Sequence, residues 1–419
     1  MPDLNILERK YNGEVYELSI FIIDTKTKEQ IVVVPTNIAG FTFSYDINDY
    51  VPLANLKIND IDGGQLSKVS SGGNFIVSII IKKKYDETYT CVHEFILNKM
   101  EMMYAESQTY LYNLDLISTL WYSLNNFTPY SSNGEKSSYN ILREFFIKNN
   151  LPLTTNDNFI QNDTENKFSH ITPCDSSVIN TIDYVIKRSY NTENFGHLIS
   201  YDFLSRTYSI KNVQKLFKVA LNGIKNKLFP IDNILYIDNK AMGPEAKAAI
   251  TRIEEQEFSG KTKTIESYKN INIKSFNHKK REWKNNKIST DTIDNALPKT
   301  SAPVALKEVN VIDKNIMPLL YKNDINYTRN VVNRSLYDTY HALHSLFYGY
   351  KSVNLQVLGS IKRNAGDILY IMPTDENTTD IKHLKYMGMY LIVKIDHIYT
   401  QEKYLNNIYA VKIESFYGI

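Results

Sequence analysis

Apolar and polar residues alternate with period two through most of the first 120 positions. Glu14–Ile23, Gln30–Pro35, Phe41–Tyr45, Ala54–Asp60, Gly72–Ile81, Val92–Met103 and Tyr110–Ile117 each read as a strand. A polar turn at Asp24–Lys28 and the glycine pair Gly72-Gly73 separate neighbours. Strands in this number, with no long helical stripe among them, predict a small antiparallel barrel or sandwich over residues 1–120.

The period then changes. Tyr139, Leu142, Phe145 and Phe146 recur at helical spacing within Ser137–Ile147, with serines ahead of them as caps and Pro152 beyond them. A second helix is predicted over Asp175–Tyr190, with Val178, Ile182, Val185 and Ile186 as its buried stripe. Gly196–Asp202 and Thr207–Ile210 form a short strand pair, so residues 121–217 read as an α+β domain. From 218 to 305 the pattern is weaker. Pro244 suits the first turn of a polar helix starting at Gly243, and Pro298 and Pro303 mark a linker. Residues 306–419 read as a helix, Arg329–Tyr348, that delivers the chain to a second barrel. The strands of that barrel are Asn354–Gly359, Ile368–Met372, Gly388–His397 and Tyr404–Glu414. No strict internal repeat stands out, although strand-rich ends on both sides are compatible with a weak duplication. The fold class expected is mainly β with α+β: two small antiparallel β-barrel domains flanking an α+β domain.

Composition narrows the function. The net charge of +2 over 419 residues is too small for a chain that binds nucleic acid as a whole. Two cysteines, Cys91 and Cys174, supply neither a disulfide framework nor a zinc spacing; a single bridge between them is the one pairing open to them. No apolar run approaches a membrane span, and the N-terminus lacks the basic and apolar regions of a signal peptide, so synthesis and folding in a cytoplasm are expected. The 31 tyrosines and 18 phenylalanines against 2 tryptophans suit strands and wet interfaces, although codon bias accounts for them equally well.

Candidate chemistry is sparse. There is no phosphate loop, dinucleotide fingerprint or G-x-S-x-G elbow. His341 and His344 lie a helical turn apart, but two ligands do not make a metal site. His397 has apolar period-two neighbours and reads as a packed histidine. Asp60/Asp62 and Glu254/Glu255 are the carboxylate pairs a glycosidase reading would use; Asp60-Ile-Asp62-Gly-Gly64 reads instead as a turn after a strand. The basic stretch 261–287, with Tyr268, Phe276 and Trp283 among its charges, reads as a solvated, flexible insertion; a loop docking on an acidic neighbour and a nucleic-acid arm are its alternatives. No catalytic, cofactor-binding or metal-ligating residue is expected.

The order of these pieces resembles the baseplate hub proteins of tailed phages and of contractile injection machines. Phe43–Asn48 followed by Leu56–Asp60 is similar to that family's first barrel. Ser138–Ile147, Ile171–Pro173, Ile179–Tyr190 and Ile199–Asp202 are similar to its middle domain. Gly359, Gly366-Asp367, Gly388–Val393, His397 and Tyr404 carry the closing barrel and are the most specific set. Residues 218–305 have no counterpart. The resemblance implies a non-enzymatic virion protein without cofactor. It would be a homotrimer whose two barrels per subunit make a pseudo-sixfold ring between tail tube and spike or tip, with DNA passing unbound through the lumen. A tail-borne wall hydrolase and a glycan- or receptor-binding tail protein are the competing readings.

Overall fold

The computed structural model describes residues 16–61, 64, 66–69, 74–83, 90–105, 109–126, 131–154, 167–172, 176–187, 189, 196–226, 228–237, 250–257, 270–277, 282–289, 351–372, 386–400 and 403–413. Seven N-terminal strands come first: β1 (Tyr16–Asp24), β2 (Gln30–Val33), β3 (Ile38–Asp46), β4 (Leu53–Ile61), β5 (Phe75–Lys83), β6 (Thr90–Ala105) and β7 (Thr109–Ser118). The central part holds α1 (Leu120–Asn125), β8 (Ser131–Ser137), α2 (Ser138–Lys148), β9 (Lys167–Thr172), α3 (Val178–Lys187), β10 (His197–Asp202), β11 (Thr207–Asn212) and α4 (Val213–Lys225). Then follow β12 (Ile234–Tyr236), β13 (Ile250–Glu257), β14 (Asn270–Asn277), β15 (Glu282–Ser289), β16 (Lys351–Leu358), β17 (Ile368–Met372), β18 (Gly388–Tyr399) and β19 (Tyr404–Lys412).

The molecule is mainly β, as the alternation predicts, but among the described residues the two strand-rich ends do not close into separate barrels. They share one 13-stranded sheet whose path runs β13-β16-β19-β18-β3-β4-β7-β6-β5-β1-β2, with β17 on β18 and β12 on β17. The joint is β18 against β3, antiparallel from Lys394 opposite Asp46 to Tyr399 opposite Phe41. Pairing between residues some 350 positions apart leaves no mark on local alternation, so the pattern alone reads as two closed units.

The two halves of this sheet repeat one plan. In one half β3-β4-β7-β6-β5 lie side by side; in the other β13-β16-β19-β18-β17 do. The β-bulges coincide. β3 shifts register against β4 between Ile38 and Gly40, opposite Ile58 and Lys57. β13 shifts against β16 between Ile250 and Arg252, opposite Val357 and Gln356. β6 leaves β5 at Ile96 and shifts against β7 between Leu97 and Lys99; β18 leaves β17 at Leu391 and shifts against β19 between Ile392 and Lys394. Bulges are placed features of a sheet and not accidents of it, so four bulges falling at two matched positions mark a duplication.

With the bulges superposed, the residues agree. Asn55-Leu-Lys-Ile58 matches Asn354-Leu-Gln-Val357, Lys99-Met-Glu-Met-Met-Tyr104 matches Lys394-Ile-Asp-His-Ile-Tyr399, and Tyr110-Leu-Tyr-Asn-Leu114 matches Tyr404-Leu-Asn-Asn-Ile408. These short matches lie about 300 residues apart and become visible once register aligns them.

The central elements meet expectation in part. α2 is capped by the Ser137 hydroxyl, which accepts from the Asn140 N–H, and buries Ile141, Leu142, Phe145 and Phe146. The α3 stripe Val178, Ile182, Val185 and Ile186 is buried. α4 was not anticipated, although Val213, Leu216, Phe217 and Ala220 keep helical spacing and are buried. The basic stretch is no unstructured insertion where it is described: β14 and β15 pair as an antiparallel hairpin with Phe276 opposite Trp283. The expected helices from Gly243 and over Arg329–Tyr348 lie outside the described residues, apart from Ile250, which begins β13.

Candidate functional site

The hairpin β10–β11 lies against the strands of both halves, and the contact is a buried aromatic seam. Phe203, at its turn, is the central piece. Its ring centroid lies 4.4 Å from that of His397 on β18, with the planes 10° apart. It lies 4.5 Å from His93 on β6 and 4.7 Å edge-on from Phe43 on β3. One side chain from the central part therefore touches three strands that span the joint. Tyr45 donates its hydroxyl to the Ile199 carbonyl at 3.2 Å, and Tyr208 donates to the Tyr50 carbonyl at 2.8 Å, which ties the hairpin to the N-terminal half.

The loop between β16 and β17 ties it to the other half. Ser200 donates to the Ala365 carbonyl at 2.5 Å. Asn364 accepts from the Phe203 N–H at 2.9 Å and donates to Asp202 at 3.0 Å. Lys211 and Asp367 pair at 2.8 Å, largely shielded from water. Two glycines make the seating possible. A Cβ at Gly359 would stand 2.3 Å from the Tyr404 ring. Gly366 has φ of +90°, where side chains are strained, and a Cβ there would come within 2.9 Å of Leu198 and Ser200. The Gly359…Gly366-Asp367 pattern singled out in the sequence is thus the latch of this joint.

Beneath the loop runs a buried polar network. Arg363 is 1% exposed. Its guanidinium donates to the carbonyls of Asp232 and Leu358 and to Asn406 Oδ1. The Asn406 amide nitrogen lies 3.2 Å from His397 Nδ1, and the Tyr404 hydroxyl 2.7 Å from the same atom. An amide N–H donating there makes Nδ1 the acceptor and puts the ring proton on Nε2. Burial pushes His397 and His93 down to about 3 and His197 down to about 4. Neutral rings so far from pH 7 are poor general bases and good packing pieces. Burial also pushes the Cys91 thiol up to about 12, which keeps it protonated and unreactive; Cys91 is unbridged.

The remaining predicted candidates are scattered. Asp60 is buried on β4, not exposed in a turn, and accepts from the Leu66 N–H at 3.0 Å. Glu254 is exposed on β13 and pairs with Arg252. Asp62, His341, His344, Cys174 and Tyr268 lie outside the described residues. Among the described residues no three His, Cys, Asp or Glu side chains gather as a metal site, and no helix is long and apolar enough to cross a membrane. His93 is the seam residue that reading of the sequence missed; its alternation with Cys91, Phe95 and Leu97 marks it as core-facing.

The opposite face of the joined sheet is largely polar from β13 to β6, with Leu53 and Met103 exposed among its polar residues. It presents Arg252 and Glu254, Asn354 and Gln356, Asn407 and Tyr409, Lys394 and Asp396, Thr42 and Ser44, Asn55 and Lys57, Asn113 and Asp115, Lys99 and Glu101, alternating with the buried set. Bases and acids stand two residues apart on single strands: Lys99 with Glu101 at 2.5 Å and Lys394 with Asp396 at 3.7 Å. The face thus carries both signs side by side.

Solved structures share this architecture. The tail protein from Neisseria meningitidis matches with a TM-score of 0.55 at 7% identity, over 95% of this chain and 96% of that one. The 43 kDa tail protein of prophage MuSo2 from Shewanella oneidensis matches with a TM-score of 0.56 at 8% identity, over 96% and 99%. The chain has the fold of the phage tail proteins. No family model matches it, and no curated protein matches it in sequence. The tail-hub resemblance read from residue order is therefore a likeness of fold along nearly the whole chain.

Proposed function

We propose that this chain is a structural hub of a phage-type tail or baseplate, without catalytic activity. Its partners would be further copies of itself, the tail tube on one side and the spike or tip on the other, with no stable membrane association. It would be made in the bacterial cytoplasm and built into the virion. On this reading the chain divides into functional parts near residues 120, 217 and 305. The observation that carries the proposal is the β18–β3 joint. It sets two copies of one sheet plan edge to edge, so each chain contributes two neighbouring segments of an arc. Three chains then give six segments, matching a sixfold tube to a threefold tip, and heterologous contacts of this kind close into rings. The polar face with its paired charges suits a DNA passage, because a strongly basic wall would hold phosphates in place.

The mass of the purified particle and its symmetry in electron micrographs test this reading. A threefold particle with a central hole is expected. A monomer at all concentrations, or clearing of purified cell wall by the chain, would replace it with the hydrolase or receptor-binding alternative.

A further inference from the structure

Resting on that ring reading, we infer that neighbouring copies join by pairing β6 of one with β13 of the next, as a repeat of the β18–β3 joint inside each chain. The matched bulges make β18 the equivalent of β6, and β3 the equivalent of β13. Within the chain, the half of β18 beyond its bulge pairs β3. The same half of β6, Lys99–Ala105, pairs β7 on one side and meets no strand on the other among the described residues. Among the described residues β13 pairs β16 alone. Both edges that the duplication leaves over are thus the two edges of a second joint.

Exposure supports the pairing. Tyr104 is 66% exposed, whereas its counterpart Tyr399 is 3% exposed. Met102 and Met103 stand open beside Tyr104, so the uncovered edge is also apolar. A bare apolar edge strand invites another strand, and here the partner is defined by the chain's own sequence. One chain cannot satisfy both edges, because seven strand spacings, roughly 33 Å, separate β6 from β13 along the sheet. The contact is heterologous and therefore propagates to the next copy.

The register follows from the internal joint. Ile398 faces Thr42 and Asp396 faces Ser44, so Met103 faces Glu254 of the next copy and Glu101 faces its Gln256. The test is the full chain carrying Met103→Cys and Glu254→Cys together, mildly oxidised and run without reductant. Linked dimers and trimers are expected, with the 103–254 bridge identified by peptide mass, reversal by reductant, and neither product from the single variants. Met103→Asp places like charges opposite each other on an exposed position and should raise the concentration for half-assembly by about tenfold. Trimers that form without the 103–254 bridge overturn the strand pairing and leave the ring standing. Monomers at every concentration overturn both.

Discussion

The half of β18 beyond its bulge and the equivalent half of β6 share a bulge, a Lys-x-acid pair and a closing tyrosine, yet one is covered and the other bare. His397 is fully buried where its counterpart Met102 is 57% exposed. The difference lies in the neighbours, since β18 finds β3 and the hairpin β10–β11 within the chain while the end of β6 has, among the described residues, β7 alone. An alternating pattern states which face seeks cover. It does not state whether the cover comes from the same chain.

The sharpest way to break this comparison is to truncate the matched tyrosines. Tyr399→Ala should cost about 3–5 kcal/mol, the range for losing a buried ring, read from denaturant midpoints. Tyr104→Ala, in the unassembled chain, should stay within about 0.5 kcal/mol, as exposed positions do. Equal effects would mean that the edge of β6 is already covered in the free chain.

Acid should act next, and on the covered seam. His93 and His397 titrate near 3 and His197 near 4 in the fold, below the ordinary 6.5. Between those values the unfolded chain binds protons that the fold refuses. Stability is therefore whole above about pH 6.5 and falls as pH drops through the window toward 3. At pH 5 the loss is about 2 kcal/mol for each histidine. Denaturation midpoints that do not move between pH 7 and 5 would deny that these rings are sealed from water.

The smallest effect tests the latch. Gly359→Ala drives a methyl into the Tyr404 ring and should cost about 1–3 kcal/mol, the range for overpacking. The equivalent place in the other half is Asp60, whose buried carboxylate accepts from the Leu66 N–H, so the restriction belongs to the half that carries the loop.

Much of the architecture was readable in advance. Period-two alternation located the strands of both ends, and helical spacing located α2 and α3, because each records burial of one face by neighbours a few residues apart. Gly359, Gly366 and Asp367 were recognisable as a motif, but their purpose was not. The Tyr404 ring, Ser200 and Lys211 that explain them come from distant parts of the chain. The open sheet escaped notice for the same reason, as did Phe203, which is an ordinary turn phenylalanine until the fold sets it between His93 and His397. The repeat was diluted below recognition, since agreement is confined to a few residues around each bulge.

Ladder hydrogen bonds lie across the strands. Along β18 and β3 six facing residue pairs stand side by side. Outward pressure on a closed hoop of such segments would pull on all of these rungs in parallel, so none could open ahead of the rest. In the proposed ring, such a wall would hold its bore at constant diameter until the load exceeded the strength of a whole seam, and would then give way along that seam in one step.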